Sequence, residues 1–297
     1  MASKKILIAG GTGLIGKQLV AKLMDLGHQV NILTRSTNPK KNHFTWDPQK
    51  QTIDLKAFED VEVIINLVGE GIADKRWTTK RKKLLLDSRV GPTEFLYSFL
   101  PQLPLLSHYI AASGINCYGY KNYDRSHPEE DPFGTDFLSQ VVQKWEEASD
   151  KFISVCKVSK VRTSIVLSKE GGALATIAKT IRFYLGSSLG TGKQWVPWIT
   201  MDDMIDAYIH IMNQELEGPI NTLAGNVTNK EFTKCIAKTL GKPLILPNAP
   251  SFMMKILLGE MSSIVLDGLQ ADNNKLISSG FRFKHDDLET ALRDVLK

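Results

Sequence analysis

A glycine-rich turn between an apolar run and an amphipathic segment constrains the fold of this chain more than any other feature. Residues 4–9 form a short, largely apolar run, which predicts a buried parallel strand, and residues 14–26 have helical periodicity. Between them lie Gly10, Gly13 and Gly16, each separated from the next by two residues. The first glycine permits a tight strand-to-helix turn, the second leaves room for a pyrophosphate, and the third allows the helix to pack closely on the strand. This context predicts a dinucleotide bound at the helix N-terminus.

Strand-like and helix-like segments alternate over the first 170 residues. Further strands are predicted at 29–34, 61–68, 108–112 and 161–167, further helices at 78–100 and 135–152, and a polar loop at 36–43. Such alternation is typical of a parallel sheet with helices on both faces. We therefore predict an α/β fold with a Rossmann, doubly wound parallel sheet. Beyond residue 170 glycine-rich turns surround helical segments, one of them beginning near Asp202, and Pro243–Pro250 is predicted to form a strand and a loop.

Composition restricts the classes of function that the chain can have. Its formal charge is +5, but the 37 basic and 32 acidic residues are interspersed over most of the chain, and we found no DNA- or RNA-binding motif. The three cysteines form no CxxC pair, and the histidines have no metal-ligand spacing, so we expect no disulfide framework and no metal site. No apolar run approaches the roughly 20 residues that span a bilayer. We expect a cytoplasmic protein without nucleic-acid or membrane partners, and its oligomeric state is left open.

The end of the second predicted strand indicates which dinucleotide is bound. NAD sites usually carry an acidic residue there, which binds the ribose hydroxyls. This chain has Thr34, Arg35 and Ser36 instead. No carboxylate would repel a 2′-phosphate, and the guanidinium could hold one, so the cofactor is predicted to be NADP. The alternative is that Arg35 is an ordinary solvated residue.

Several motifs occur together in a distinctive order along essentially the whole chain. They are N-L-V-G-E at 66–70, K-R-W at 75–77, D-S-R-V-G at 87–91, W-E at 145–146, R-T-S-I-V-L at 162–167, G-T-G-K-Q-W at 190–195, L-L-G-E-M at 257–261 and G-F-R-F at 280–283. In this order the chain resembles the "epimerase family protein" branch of atypical extended short-chain dehydrogenases.

This resemblance implies an organisation and a set of cofactor residues. It implies an NADP-binding Rossmann domain over 1–170 with a returning segment around 195–225, and a smaller C-terminal substrate region over 171–297 that includes a module at about 247–297. The residues implied to bind cofactor are Gly10, Thr12, Gly13, Leu14, Ile15, Gly16, Thr34, Arg35, Ser36, Asn66, Leu67, Val68, Gly69 and Arg89.

Catalysis is where the chain departs from the extended dehydrogenases that it resembles. Those enzymes use a Ser or Thr with a Tyr and a Lys that lie four residues apart on a helix. The corresponding helix here has Phe137 or Leu138 at the Tyr position and Val141 or Val142 at the Lys position, and none of these can transfer a proton. The Ser position matches Ser113, which could hydrogen-bond a substrate carbonyl or hydroxyl, although an ordinary serine at a strand end is the alternative. Tyr118 is the nearest candidate proton carrier, although a core tyrosine is the competing interpretation.

Two further segments are candidates for substrate binding. Lys75, Arg76 and Trp77 offer charge and an aromatic platform for an anionic or sugar-like molecule, although a solvated loop would have the same composition. Gln194 and Trp198 match the substrate side of the extended enzymes, and core packing is the alternative for Trp198. We therefore predict either an NADP-dependent oxidoreductase or epimerase of an unknown small molecule, or an NADP-binding sensor or regulatory protein with little turnover.

Overall fold

A computed structural model describes residues 3–36, 38–120 and 125–297 of the chain. The strands in this part of the chain are β1 (Lys5–Ala9), β2 (Gln29–Thr34), β3 (His43–Asp47), β4 (Thr52–Ile53), β5 (Val63–Asn66), β6 (His108–Gly114), β7 (Ser126–His127), β8 (Lys157–Thr163), β9 (Ile165–Leu167), β10 (Trp195–Thr200), β11 (Gly218–Thr222), β12 (Gly225–Thr228) and β13 (Gln270–Ala271). The α-helices there are α1 (Leu14–Asp25), α2 (Thr79–Tyr97), α3 (Phe137–Asp150), α4 (Gly172–Arg182), α5 (Met201–Asn213), α6 (Asn229–Thr239), α7 (Ser251–Leu258), α8 (Ser263–Leu266), α9 (Asn274–Ser278) and α10 (Leu288–Leu296).

An eight-stranded sheet forms the centre of the molecule, in the order β11-β8-β6-β5-β1-β2-β3-β4. All neighbours are parallel except the short β3–β4 pair at one edge. One hydrophobic cluster joins the sheet to α1 and α5 through residues such as Leu19 and Met204. Another covers the opposite face with Leu96 and Phe152. Because both faces are buried, the central strands are continuous apolar runs, and the prediction of a doubly wound α/β fold is confirmed.

The periodic segments were predicted with nearly correct bounds, but two local predictions were wrong. Strand β3, which begins at the last residue of the predicted polar loop, was not predicted. The segment predicted as one strand at 161–167 is divided, because Ser164 turns away to bond Thr222 and β9 then joins a different sheet. No regular strand forms within Pro243–Pro250, all of which is described, and only an isolated bridge links Leu189 to Ala249. Its three prolines lack the N–H groups that a sheet ladder needs.

The C-terminal part has a hydrophobic cluster of its own. A three-stranded sheet, β12-β10-β9, packs with α4, α6 and α10 around Trp198, Phe232 and Leu292. The chain also returns to the large sheet, where β11 lies beside β8. The division into a cofactor domain and a substrate region stays a prediction. In the described parts of the chain, no helix is both long and apolar enough to cross a membrane.

Candidate functional site

The glycine turn connects β1 to α1 with little room to spare. Gly10 has a φ of +82°, and its carbonyl accepts a hydrogen bond from the Gly13 N–H at 3.0 Å. A Cβ on Gly16 would lie 2.2 Å from that same carbonyl oxygen, so a side chain there would force helix and turn apart. Gly13 is the N-cap of α1, and no side chain caps the helix. The first-turn N–H groups are thus left without a side-chain partner, as an anion-binding helix terminus requires.

The space in front of this turn is open at the position where a pyrophosphate would lie. Thr12 and Gly13 are exposed, and Leu14 and Ile15 are half-buried. A Cβ on Gly13 would meet only the Gly10 carbonyl oxygen, at 3.3 Å. The glycine therefore leaves free volume on its outer side, and the residues present fit a dinucleotide phosphate.

The carboxyl end of β2 carries an unpaired cation. Thr34 is half-buried, and its hydroxyl accepts a hydrogen bond from the Ser36 N–H at 3.2 Å. Arg35 and Ser36 are exposed, and Arg35 forms no ion pair with any residue that the structure describes. Thr37 lies outside the described residues. Among the described residues, this end of β2 therefore presents a guanidinium without an ion-pair partner, and none of Thr34, Arg35 and Ser36 is a carboxylate.

The neighbouring strand β5 ends in direct contact with the glycine turn. The Leu67 N–H donates to the Ala9 carbonyl at 2.8 Å, and a Cβ on Gly10 would come within 3.0 Å of the Leu67 backbone. The fully buried Asn66 amide donates to Tyr109 at 2.9 Å and to Thr93 at 3.1 Å. Its Oδ1 accepts a hydrogen bond from the Val68 N–H at 3.2 Å, so these three bonds fix the strand end. Contact of Asn66 with cofactor stays a prediction. Beyond it, Val68 is half-buried and Gly69 is exposed.

Arg89 supports the same loop from α2. Its buried guanidinium donates to the carbonyls of Glu70 and Leu85, both at 2.9 Å, and lies 5.2 Å from the ring centroid of Trp145. Burial lowers the pKa of Arg89 to about 10. A Cβ on Gly69 would come within 3.1 Å of the guanidinium carbon, which explains why glycine stands there. Arg89 thus holds the loop in place, and direct contact with cofactor stays a prediction.

The two candidate catalytic residues belong to one buried hydrogen-bond network. The Ser113 hydroxyl donates to Glu146 at 2.6 Å. Arg162 forms two bonds to that carboxylate, both 2.9 Å, and a third to the Tyr118 hydroxyl at 2.8 Å. Tyr118 in turn donates to the Asn221 side chain at 2.7 Å. Burial raises the pKa of Tyr118 well above its usual range, so this phenol holds its proton firmly.

This network was only half visible in the sequence. Glu146, Arg162 and Asn221 were not predicted as site residues, although an arginine directly opposite Ser113 in the β6–β8 register is unusual in a buried strand. With its own proton committed to Glu146, Ser113 offers lone pairs to a ligand hydroxyl or N–H. The catalytic assignments of Ser113 and Tyr118 stay predictions.

Helix α3 is aprotic at the positions of the missing Tyr and Lys. Leu138, Val141 and Val142 are buried, and a Cβ on Gly114 would lie 3.5 Å from a Val142 methyl group. Apolar side chains thus occupy the positions on α3 at which the extended dehydrogenases carry their acid/base pair. No group of three or more His, Cys, Asp or Glu among the described residues could hold a metal ion.

Trp77 reaches the start of α3 and joins one predicted substrate segment to the site. Its ring meets Phe137 edge-on at 5.1 Å, and its indole N–H donates to the Ile72 carbonyl at 3.0 Å. Lys75 and Arg76 are exposed, and Arg76 lies against Gly259 of the C-terminal part. This loop is thus bounded by α3 on one side and by the C-terminal part on the other.

Gln194 and Trp198 are placed less favourably for contact with a substrate. The buried Gln194 amide donates to the carbonyls of Leu189 at 3.0 Å and Val265 at 2.7 Å, so it ties two loops together. Trp198 is only 1% exposed within the C-terminal hydrophobic cluster. Its burial supports the alternative of core packing, and neither residue is shown to bind substrate.

Comparison with known proteins decides the family. Residues 6–148 match the model of the NAD dependent epimerase/dehydratase family, and residues 249–295 match a domain of unknown function, DUF1731. An epimerase family protein of Staphylococcus aureus is 34% identical over 306 residues, covering 99% of both chains. The chain belongs to the NAD-dependent epimerase/dehydratase family. The predicted resemblance is confirmed, and the C-terminal match begins two residues after the expected module boundary.

Solved structures agree with this assignment. A human epimerase family protein, whose crystal structure contains NADPH, is 27% identical with a TM-score of 0.87, and 98% of each chain is covered. A nucleoside-diphosphate sugar epimerase from Corynebacterium glutamicum is 28% identical with a TM-score of 0.82. That match covers 99% of this chain but 58% of the other. The epimerase family member described here therefore has an NAD(P)-binding fold of the extended dehydrogenase type.

Proposed function

We propose that this epimerase family member binds NADP(H) in preference to NAD(H) and acts as an oxidoreductase or epimerase-like enzyme on a small molecule. The main support is the exposed Arg35 beside Ser36, which forms no ion pair with a described residue. It lies at the strand end where NAD sites carry an acidic residue. A charge-assisted hydrogen bond to the 2′-phosphate contributes roughly 1.5–3 kcal/mol, which is about a ten- to hundredfold preference. The NADPH in the human relative supports the same choice. We further propose that the protein works in the cytoplasm.

When bound, the nicotinamide would donate or accept a hydride. A residue of the chain or a water molecule must then accept or donate the proton that accompanies this transfer. A positioned acid/base contributes roughly 10²–10⁴-fold to such a step. The Ser113 hydroxyl donates its hydrogen bond to Glu146, and Tyr118 is held by Arg162 and Asn221. Neither hydroxyl is a ready proton acceptor. The substrate should therefore need little proton removal, as with an activated carbonyl or enone that accepts hydride from NADPH and takes the balancing proton from water.

The same observation favours a second candidate, an NADP(H)-binding sensor with little turnover. The buried network and the aprotic face of α3 would suit a site that holds the cofactor without using it. Two assays separate the candidates: oxidation of NADPH, monitored against a panel of small carbonyls and enones, and conversion of UDP-sugars, followed by analysis of the sugar products. Turnover of a carbonyl or enone supports the enzyme, and its absence across the panel supports the sensor.

Two variants complete this test of the chemistry. Ser113→Ala and Tyr118→Phe should reduce turnover of any substrate found, and full activity in both would remove our catalytic assignment. We also expect UDP-sugars to be converted at well below about 1 s⁻¹, the low end of ordinary enzyme rates. Faster conversion would show that another group supplies the missing acid/base.

A further inference from the structure

Exposed hydrophobic side chains are concentrated in one part of the molecule. Sixteen large hydrophobic residues in the described parts of the chain are at least 43% exposed, and nine of them lie in only two segments. The nine are Phe183, Tyr184, Leu185, Ile245, Leu246, Phe252, Met253, Ile256 and Leu257. Single exposed hydrophobic residues are ordinary, but a contiguous group marks an interaction surface.

Helix α7 contributes the most prominent part of this group. Phe252 is 64% exposed, Met253 54%, Ile256 74% and Leu257 67%, and no residue of the helix is buried. Their spacing places all four on one side of the helix. Surface helices of globular proteins normally turn such a stripe toward the core, whereas here it faces outward.

The two segments are bonded to one another and form one surface. The Ala249 N–H donates to the Ser188 carbonyl at 2.9 Å, and the Gly190 N–H donates to the Ala249 carbonyl at 2.8 Å. Lys242 donates to the Tyr184 hydroxyl at 3.0 Å and lies 4.7 Å from the centroid of its ring. We name residues 179–193 and 242–257 together the apolar–basic face.

Every charged residue of the apolar–basic face is a cation. They are Lys179, Arg182, Lys193, Lys242 and Lys255, with no Asp or Glu in either segment. In the described parts of the chain none of the five forms an ion pair within 4.0 Å. Two acids follow the second segment along the chain, where Glu260 pairs with Lys82 and Asp267 interacts electrostatically with Lys255. The face therefore combines exposed apolar area with a charge of +5.

We propose that the apolar–basic face docks this protein on the surface of a bilayer that contains anionic lipids. The stripe on α7 would enter the headgroup boundary with the helix lying in the membrane plane, and the cations would meet lipid phosphates. A second copy of the chain fits less well, since a two-fold interface would set the same five cations against each other. This inference departs from our sequence-based expectation of no membrane partner, because peripheral docking needs no spanning helix.

The direct test is co-sedimentation of the full chain with unilamellar vesicles. We expect binding to vesicles of mixed phosphatidylglycerol and phosphatidylcholine, and much weaker binding to phosphatidylcholine alone. Raising the salt to about 1 M, where the Debye length falls to about 3 Å, should weaken binding strongly. Equal binding to both kinds of vesicle, or no binding to either, would overturn the proposal.

Variants distinguish this face from the rest of the surface. Ile256→Glu should abolish vesicle binding, and Lys255→Gln should weaken it about fivefold, the contribution of one cation near an anionic surface. Ile153→Glu is the matched control, because Ile153 is 62% exposed but lies outside the face. Unfolding temperatures confirm that each variant is folded. Unchanged vesicle binding by Ile256→Glu refutes the proposal. The proposal is also refuted if the wild-type protein does not bind vesicles but forms a concentration-dependent dimer that Ile256→Glu disrupts. The face would then bind a second copy of the chain.

Discussion

Replacing Gly13 by valine should abolish cofactor binding at small cost to the fold, whereas replacing Gly16 by alanine should damage the fold itself. The φ of Gly13 is −77°, which any residue can adopt, and a Cβ there meets one atom at 3.3 Å. Loss of a favourable N-cap residue costs about 1 kcal/mol. At Gly16 a Cβ would lie 2.2 Å from the Gly10 carbonyl oxygen and 2.8 Å from the Gly11 Cα. Overpacking of this kind costs about 1–3 kcal/mol, or roughly 2–12 °C in Tm.

Thermal unfolding with and without NADPH measures both effects. At a cofactor concentration of about 100 times Kd, the wild-type protein should gain about 2.7 kcal/mol, or roughly 5–11 °C. Gly13→Val should show none of this gain while unfolding near the wild-type temperature without cofactor. Gly16→Ala should unfold earlier even without NADPH. Full stabilisation of Gly13→Val would show that the phosphates bind elsewhere, and an unchanged Tm for Gly16→Ala would show that the turn opens freely.

Two further predictions concern buried polar groups. Glu146→Gln removes the carboxylate that pairs with buried Arg162, so it should lower the free energy of unfolding in urea by about 3–5 kcal/mol. The control Glu147→Gln, at an exposed neighbouring residue, should lower it little. Equal effects of the two variants would contradict a structural ion pair. Burial lowers the pKa of His108 to about 4 from 6.5, so the folded state favours the neutral imidazole. The neutral imidazole of His108 thus contributes about 3 kcal/mol to the free energy of unfolding. This contribution is complete above pH 6.5 and is lost as the pH falls toward 4. In His108→Gln the free energy of unfolding should fall less between pH 6.5 and pH 4 than in the wild-type protein. Identical pH profiles of stability for the two proteins would refute the assignment.

The sequence was sufficient where one segment determines its own structure. The apolar run before Gly10 and the periodic segments that became α1, α2 and α3 predicted the sheet, its helices and the glycine turn, because their burial follows directly from their periodicity. Strand β3 was missed because its five residues mix polar and apolar side chains, and because it takes its hydrogen bonds from its neighbours β2 and β4. Likewise, the proline-rich segment before α7 looked apolar enough for a strand but lacked the necessary donors.

The site chemistry was less predictable because its contacts join distant residues. Ser113 and Glu146 are 33 residues apart, and Tyr118 and Asn221 are 103 apart, so only the folded chain brings them together. Sequence motifs placed Ser113 and Tyr118 near the cofactor position but could not show that their hydroxyl protons were already committed. The exposed stripe on α7 escaped prediction for the same reason, since its apolar residues alone are equally typical of a core helix.

The central claim, an NADP(H) site built on the glycine turn and Arg35, is tested most directly by calorimetric titration. NADPH and NADH are titrated into the wild-type protein, Arg35→Ala and the charge-matched control Lys50→Ala, in which an exposed lysine at the β3–β4 turn is removed. We expect NADPH to bind the wild-type protein and the control at least tenfold more tightly than NADH. In Arg35→Ala that preference should largely disappear, while the affinity for NADH stays nearly unchanged. Equal affinities in the wild-type protein, or an unchanged ratio in Arg35→Ala, would contradict the account.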